Sequence, residues 1–170
     1  MVKTTSIERS ESKVGIDPRV KVGHVHLNVA DLERSVAFYR DVLGFRVLLR
    51  LPKLAFLSTG DYPHLGLDTR STEGGKPPEH RMTGLHHYAL LHPTREALAS
   101  TVSRAVGAGA TVVRTADFTI SLAVFIRDPD ANMVELCWDR PRNEWPEDWA
   151  SANGAGSPRP FDLATLLPEA

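Results

Sequence analysis

The sequence predicts an α+β protein made of two paired βαβββ modules, and an internal repeat is the main reason. The segment that begins at His24 matches the segment that begins at His87, and each carries the same order of strand and helix signals. A module of this size is too small to bury a good core alone, so the two copies are expected to pack together. The matching positions are His24 with His87, Leu27 with Leu90, Asp31 with Thr94, Glu33 with Glu96, and Gly44 with Gly107.

The first copy, about residues 20–69, begins with an alternating segment. Residues 20–29 predict a strand with His24, His26 and Asn28 on one face. Asp31 is a suitable helix N-cap, and an apolar stripe at helical spacing runs from Leu32 to a terminating glycine, Gly44. Three further strands are predicted at residues 45–51, 54–57 and 64–68.

The second copy, about residues 84–139, repeats this order after a linker rich in glycine and proline. A strand is predicted at 85–91, a helix capped by Thr94 follows, and three strands lie near 111–114, 122–127 and 133–138. The sequence thus predicts one domain at residues 19–142. Residues 1–18 are expected to form a flexible leader, and residues 143–170 an irregular tail that packs through Trp145, Trp149 and Phe161.

The composition describes an ordinary globular chain. Of 170 residues, 42% are hydrophobic and the net charge is −1, which with no long basic run argues against a nucleic-acid partner. No stretch approaches the roughly 20 apolar residues needed to cross a bilayer, so no membrane partner is predicted. Cys137 is the single cysteine, which excludes an intrachain disulfide and favours a cytoplasmic location.

Three residues suggest a metal site. His24 and His87 occupy equivalent positions of the repeat, and Glu135 lies between apolar residues near the end of the second copy. A carboxylate in such a segment is costly to bury unless it is paired or bound to a metal, although a place on a half-exposed sheet remains open. Two imidazoles and one carboxylate are the ligand set of mononuclear non-haem Fe(II) oxygenases.

Comparison of the two copies also indicates which residue of the first copy corresponds to Glu135. When residues 54–57 are aligned with 122–125, Gly66 matches Glu135. The first copy therefore places glycine where the second has its carboxylate. Three protein ligands and one coordination position without a protein ligand predict an open catalytic site rather than a closed structural one.

These residues and the motifs around them resemble the vicinal oxygen chelate superfamily, which includes glyoxalases, antibiotic-resistance proteins and extradiol dioxygenases. The resemblance covers about residues 20–142 and is carried by residues 24–32, 38–45, 84–90 and 127–136. Residues 60–67, the doubled His86–His87 and the segment 138–146 are most similar to single-module catechol 2,3-dioxygenase-type proteins.

The resemblance implies a cupped, partly open sheet with metal bound by His24, His87 and Glu135. Fe(II) is the first expectation, with Mn(II), Zn(II) or Ni(II) as alternatives. The implied partners are a small catecholic or other aromatic substrate, O₂ and a second copy in a homodimer. His64 and His26 are the candidate catalytic groups, although an exposed turn histidine and a histidine that merely fills the cup are the alternatives. His86 is expected to face away from the site.

Three departures from the family pattern bear on the reaction. The acid–base histidine of the family aligns with Pro63, one residue before His64, and Phe118 stands where a second pocket histidine is usual. Ala131 replaces a turn glycine, and a positive φ there would strain alanine.

Three functions therefore remain open: an extradiol ring-cleavage dioxygenase, a glyoxalase-like lyase or isomerase, and a binding protein that sequesters an aromatic antibiotic without reaction. The missing fourth ligand argues against the second function, because glyoxalases of this fold generally use four ligands. The apparently intact metal triad argues against the third.

Overall fold

The computed structural model describes residues 15–77, 79, 82–149 and 158–167, so most of the expected leader lies outside the described residues. It confirms an α+β fold of two βαβββ modules. The first module has β1 (Val25–Asn28), α1 (Leu32–Ala37), β2 (Arg46–Leu51), β3 (Leu54–Ser58) and β4 (Leu65–Asp68). The second has β5 (Tyr88–Leu91), α2 (Arg95–Gly107), β6 (Val112–Asp117), β7 (Ser121–Arg127) and β8 (Met133–Asp139).

Each module forms a four-stranded sheet of the same topology. The strand orders are β1-β4-β3-β2 and β5-β8-β7-β6. In each sheet the first strand pairs with the last in parallel, and the other pairs are antiparallel. The outer strands β2 and β6 each carry a bulge against their neighbour.

The strands that follow the repeated histidines are shorter than predicted. β1 begins at Val25 and β5 at Tyr88, so His24 and His87 each stand one residue before a strand. The backbone N–H of Val25 donates to the carbonyl of His64, at 3.0 Å, which anchors the start of β1. Both histidines thus lie immediately before the first paired residue of their strand, at matching positions in the two copies.

The helix ends follow the predicted signals. The side chain of Asp31 accepts from the N–H of Arg34 at 3.0 Å, and that of Thr94 accepts from the N–H of Ala97 at 3.1 Å. The first helix continues as a π-helical turn, Phe38–Val42. Gly44 follows with φ of +84°, the left-handed conformation that glycine adopts most readily at a helix end.

One hydrophobic core joins the modules. It contains residues of both copies, among them Leu27 and Leu67 from the first sheet and Leu98, Val102 and Leu136 from the second module. Burial of this shared apolar surface is the main force holding the two modules together.

The tail packs against the second sheet more closely than expected. As predicted, Phe161 packs on the core, and its N–H donates to Thr115 at 3.0 Å. Leu166, which the sequence did not single out, is only 2% exposed. Trp145 and Trp149 pack on each other, with ring centres 5.1 Å apart. Within the described ranges, no helix is both long enough and apolar enough to span a membrane.

Candidate metal centre

Strand register places two equivalent rows of side chains across the two sheets. In the second sheet, Ala89 stands beside Glu135, Glu135 beside Phe125, and Phe125 beside Arg114. We call these four residues the acidic row. The corresponding row of the first sheet, called the glycine row, consists of His26, Gly66, Phe56 and Leu49.

The two rows confirm that Gly66 occupies the position of Glu135, and they correct the alignment of the neighbouring strands. Phe56, rather than Leu57, is the counterpart of Phe125, because each phenylalanine pairs with the Gly66 or Glu135 position of its own sheet. The predicted alignment of residues 54–57 was wrong by one residue. In a strand such a slip moves every side chain to the other face.

Glu135 contacts His87 directly. Its Oε2 lies 2.9 Å from His87 Nε2 across the neighbouring strands β8 and β5. The carboxylate is largely buried, and burial raises the pKa of Glu135 despite the opposing effects of nearby His87 and Arg114. The His87 ring packs edge-on against Phe125, with centres 5.5 Å apart. Two of the three expected metal ligands therefore stand together.

His86 contributes to this arrangement, and the expectation that it faces away is wrong. Its Nδ1 lies 2.6 Å from Nδ1 of His87. Strict alternation does not apply here, because both residues precede the first paired residue of β5. The contact occupies one nitrogen of His87 and leaves the other facing Glu135.

His24 lies on the first sheet, beside other aromatic rings. Its ring centre is 6.0 Å from that of His26 and 5.9 Å from that of Phe56. Among the described residues, no three His, Cys, Asp or Glu side chains form a group that could hold a metal ion as they stand. The structure thus brings His87 and Glu135 together. It places His24 apart from them, immediately before the matching strand of the other module.

The position above Gly66, which the sequence predicts to be empty, is filled by the side chain of His26. A Cβ added to Gly66 would stand 2.9 Å from Nδ1 of His26, so the imidazole lies directly over the glycine. The other ring nitrogen, Nε2, is 3.6 Å from Oδ2 of Asp68. The glycine row has a large side chain at His26 and none at Gly66, whereas the acidic row has a small one at Ala89 and a large one at Glu135.

His64 also belongs to this side of the first sheet. It precedes Gly66 by two residues, which places both on one face of the extended chain. Its Nδ1 is 3.2 Å from Oγ of Ser58, and its side chain is exposed. His64 is therefore available to solvent and to a ligand, in the turn that begins after Ser58.

The apolar surroundings of Glu135 include residues that the sequence named and others that it missed. Phe118 and Met133 pack on the buried cluster formed by Ala116, Ala123, Phe125 and Cys137. Burial raises the pKa of the Cys137 thiol to about 12, so the thiol is protonated at neutral pH. Phe125 and Arg114 were not singled out. The alternation of β7 could have indicated Phe125, but the bulge in β6 obscures the face of Arg114.

The fold and the repeated histidines define a protein of two duplicated βαβββ modules with a candidate ligand pair on one of them. The chain belongs to the Glyoxalase/Bleomycin resistance protein/Dioxygenase superfamily, whose sequence profile matches residues 21–136. This confirms the resemblance inferred from the sequence.

Individual relatives include dioxygenases and a lyase. A catechol-2,3-dioxygenase of Bacillus subtilis is 33% identical over 149 residues, which are 88% of this chain and 52% of that protein. Biphenyl-2,3-diol 1,2-dioxygenase 3 of Rhodococcus globerulus is 30% identical over 68% of this chain and 62% of its own length. The chain therefore spans about half to two thirds of these two relatives. A solved lactoylglutathione lyase from Agrobacterium tumefaciens superposes with a TM-score of 0.58 at 27% identity, over 72% of this chain and 96% of that one.

Proposed function

We propose that this protein is a metal-dependent dioxygenase that opens the ring of a catecholic substrate in the extradiol manner. The contact between His87 and Glu135 carries the proposal, because it supplies a nitrogen and an oxygen donor at one place. The likeness to two ring-diol dioxygenases supports the choice of substrate class.

Fe(II) is the ion we propose, held by His87 and Glu135 together with His24, whose side chain must move towards that pair to complete the set. The donor set suits this ion, since two imidazoles and a carboxylate leave positions for other ligands. When bound, the metal would supply Lewis acidity and a template for both reactants. Manganese, zinc or nickel can occupy such a donor set as well, and metal analysis distinguishes them.

The protein's own side chains would shape and protonate the site. Phe56 presents a partly exposed aromatic ring beside His24, which suits a flat apolar substrate, while the buried Phe125 packs under His87 and reduces access of water. His26, whose Nε2 lies 3.6 Å from Asp68, and the exposed His64 are the groups we propose to move protons. Neither Pro63 nor Phe118 can take this role, because their side chains carry no exchangeable proton.

The proposal is tested by anaerobic reconstitution with Fe(II), followed by assay with several catechols and O₂. We expect one bound iron per chain and the yellow product of extradiol cleavage with at least one substrate. Absence of turnover with every catechol, despite one bound iron, would contradict the reaction.

Ligand variants test the residues. His87→Ala and Glu135→Gln are expected to abolish stoichiometric metal binding, because each removes one of three donors. Glu96→Gln is the matched control, since Glu96 is an exposed residue at the start of α2. Full iron binding by both site variants would place the metal elsewhere.

A second candidate is a glyoxalase-like lyase, favoured by the similarity to the lactoylglutathione lyase. An assay with methylglyoxal and glutathione, using protein loaded with zinc, nickel or manganese, decides between the two enzymes. Gly66 ranks this candidate lower, because the first module then supplies no carboxylate at the position that Glu135 occupies in the second. Aromatic ligand binding that needs no metal and survives His87→Ala would instead indicate a non-catalytic binding protein.

A further inference from the structure

Arg114 extends the acidic row beyond Phe125. It stands opposite Phe125 in the ladder between β6 and β7, and its guanidinium carbon lies 3.9 Å from the centre of the Phe125 ring. The same ring contacts His87. The cation, the aromatic ring and the candidate metal ligands therefore share one face of the second sheet.

The hydrogen-bond donors of Arg114 are unused within the described parts of the chain. There its guanidinium has no hydrogen-bond acceptor and no carboxylate within 4.0 Å, and the residue is exposed. Other arginines are paired: Arg34 with Asp130 at 2.8 Å and Arg140 with Asp117 at 2.9 Å. Within those parts of the chain, Arg114 thus presents a cation without a carboxylate partner, placed over an aromatic ring.

The repeat shows that this charge is not required by the fold. The counterpart of Arg114 in the glycine row is Leu49, which stands opposite Phe56 and is 43% exposed. Both copies form the same bulged outer strand with these different residues. The arginine occurs only in the copy that also carries Glu135.

We propose that Arg114 binds a carboxylate substituent of the aromatic substrate, so that the preferred substrate is a carboxylated catechol. A guanidinium matches a carboxylate with two parallel hydrogen bonds, and Phe125 holds it in place for that contact. Arg114 stands two strands from Glu135, about 10 Å between backbones, and its guanidinium lies over the Phe125 ring on the strand between them. The catechol part of this inference rests on the proposed function, whereas the anion contact can be measured by itself.

Calorimetry under anaerobic conditions tests the contact with the iron-loaded protein. The probes are catechol and 3,4-dihydroxybenzoate, which differ only in the carboxylate. Wild type is expected to bind the carboxylated ring more tightly. Arg114→Met should weaken that binding by roughly ten- to a hundredfold, the usual worth of a charged hydrogen bond, and leave catechol binding unchanged.

Two further variants separate charge from packing. Arg114→Lys keeps the charge without the planar fork and should fall between wild type and Arg114→Met. Arg142→Met is the matched control, because Arg142 also stacks on an aromatic ring, Trp145 at 4.3 Å, but lies outside the sheet. It should leave both affinities unchanged.

Two of the outcomes separate the anion contact from the ring-cleavage function. If wild type and Arg114→Met show the same preference and both cleave catechols, the inference is overturned and the proposed function stands. If the preference depends on Arg114 but no ring is opened, the inference stands and the proposed function falls. Binding of neither probe would overturn both.

Discussion

At the scale of single residues, the exchange of side-chain size between the two rows is the most informative feature. His26 fills the space over Gly66, and Glu135 stands beside the small Ala89. In each sheet, the fold can accommodate one large side chain at this pair of opposed residues on neighbouring strands. Which strand supplies it decides whether the sheet presents an imidazole or a carboxylate.

Gly66→Ala is expected to displace the His26 ring. The new Cβ would stand 2.9 Å from Nδ1 of His26, closer than real contacts allow, and 3.0–3.1 Å from two further ring atoms, so the imidazole must move. We expect a changed histidine signal by NMR, retained folding, and slower turnover if His26 moves protons. Gly60→Ala is the control, because nothing lies within 4 Å of a Cβ there. Unchanged NMR signals for His26 would show that the ring does not lie over Gly66.

His86→Gln is expected to weaken metal binding by roughly 10- to 100-fold, the usual effect of removing a group that orients a ligand histidine. The physical reason is the contact between Nδ1 of His86 and Nδ1 of His87, which orients the second ring. Competition with a chelator measures the affinity, and His92→Gln serves as a control away from this contact. Equal affinity in wild type and His86→Gln would remove His86 from the site.

At the scale of elements, the turn between β7 and β8 carries backbone strain. Ala131 adopts φ of +66°, as expected from its place in a turn where the family has glycine. Asp128 holds this turn by accepting from the backbone N–H groups of Asp130 and Asn132, at 2.9 and 2.7 Å. The hydrogen bonds thus keep alanine in a conformation that it does not favour.

Ala131→Gly is expected to raise the free energy of unfolding by about 1 kcal/mol, because glycine adopts this conformation without strain. Urea denaturation measures the change. Ala108→Gly is the matched control: Ala108 follows α2 with φ of −85°, and glycine there should lower stability. Destabilisation by both variants would show that the turn is not strained.

The end of β4 contributes stability that depends on pH. Arg70 donates to Asp68 from its side chain, at 2.8 Å, and from its backbone, also at 2.8 Å, and these bonds lower the pKa of Asp68 from 3.8 to about 2. A lowered carboxyl pKa adds stability above the unfolded value, and this contribution is lost as the pH falls from about 4 through 2.

Asp68→Asn is therefore expected to lower stability at pH 7 and to flatten its decline between pH 4 and 2. Denaturation at a series of pH values measures both effects, with Asp148→Asn, an exposed residue near the tail, as control. A wild-type acid dependence that persists in Asp68→Asn would assign it to other carboxyls.

At the scale of the whole molecule, a buried hydrogen-bond chain joins the two modules. The hydroxyl of Tyr88 donates to that of Tyr39 at 2.7 Å, and Tyr39 donates to Asp128 at 2.8 Å. Asp130 adds further bonds to the first module, accepting from Ala30 N–H at 3.0 Å and Ser35 Oγ at 2.9 Å. The turn between β7 and β8 in the second module is thus hydrogen-bonded to helix α1 of the first module and to the residues next to it.

Tyr39→Phe should lower the free energy of unfolding by about 1–3 kcal/mol, since it deprives two buried groups of the second module, the Tyr88 hydroxyl and the Asp128 carboxyl, of their partner in the first. Tyr62→Phe is the control, because Tyr62 is 56% exposed. Thermal unfolding measures both. Equal melting temperatures for wild type and Tyr39→Phe would show that apolar packing alone joins the modules.

Local patterns predicted most of the fold and part of the site. The repeat gave the two modules and the matching of Gly66 with Glu135. Other features depend on relations between strands that a single segment does not contain. The filling of the position above Gly66 by His26 requires the register of β1 with β4, and the contact of His86 with His87 occurs where strand alternation does not apply. The face of Arg114 follows only from the bulge in β6.

The exchange of side-chain size between the glycine row and the acidic row also defines a short mutational route from one row to the other. His26→Ala together with Gly66→Glu would make the first row copy the second at both opposed positions. The double variant would make the two rows symmetric at those positions, with a carboxylate available from each module. We expect such a chain to bind divalent ions more tightly and to leave less room for a chelating substrate. Under the proposed function, two codons would then separate a site with three protein ligands from one with four.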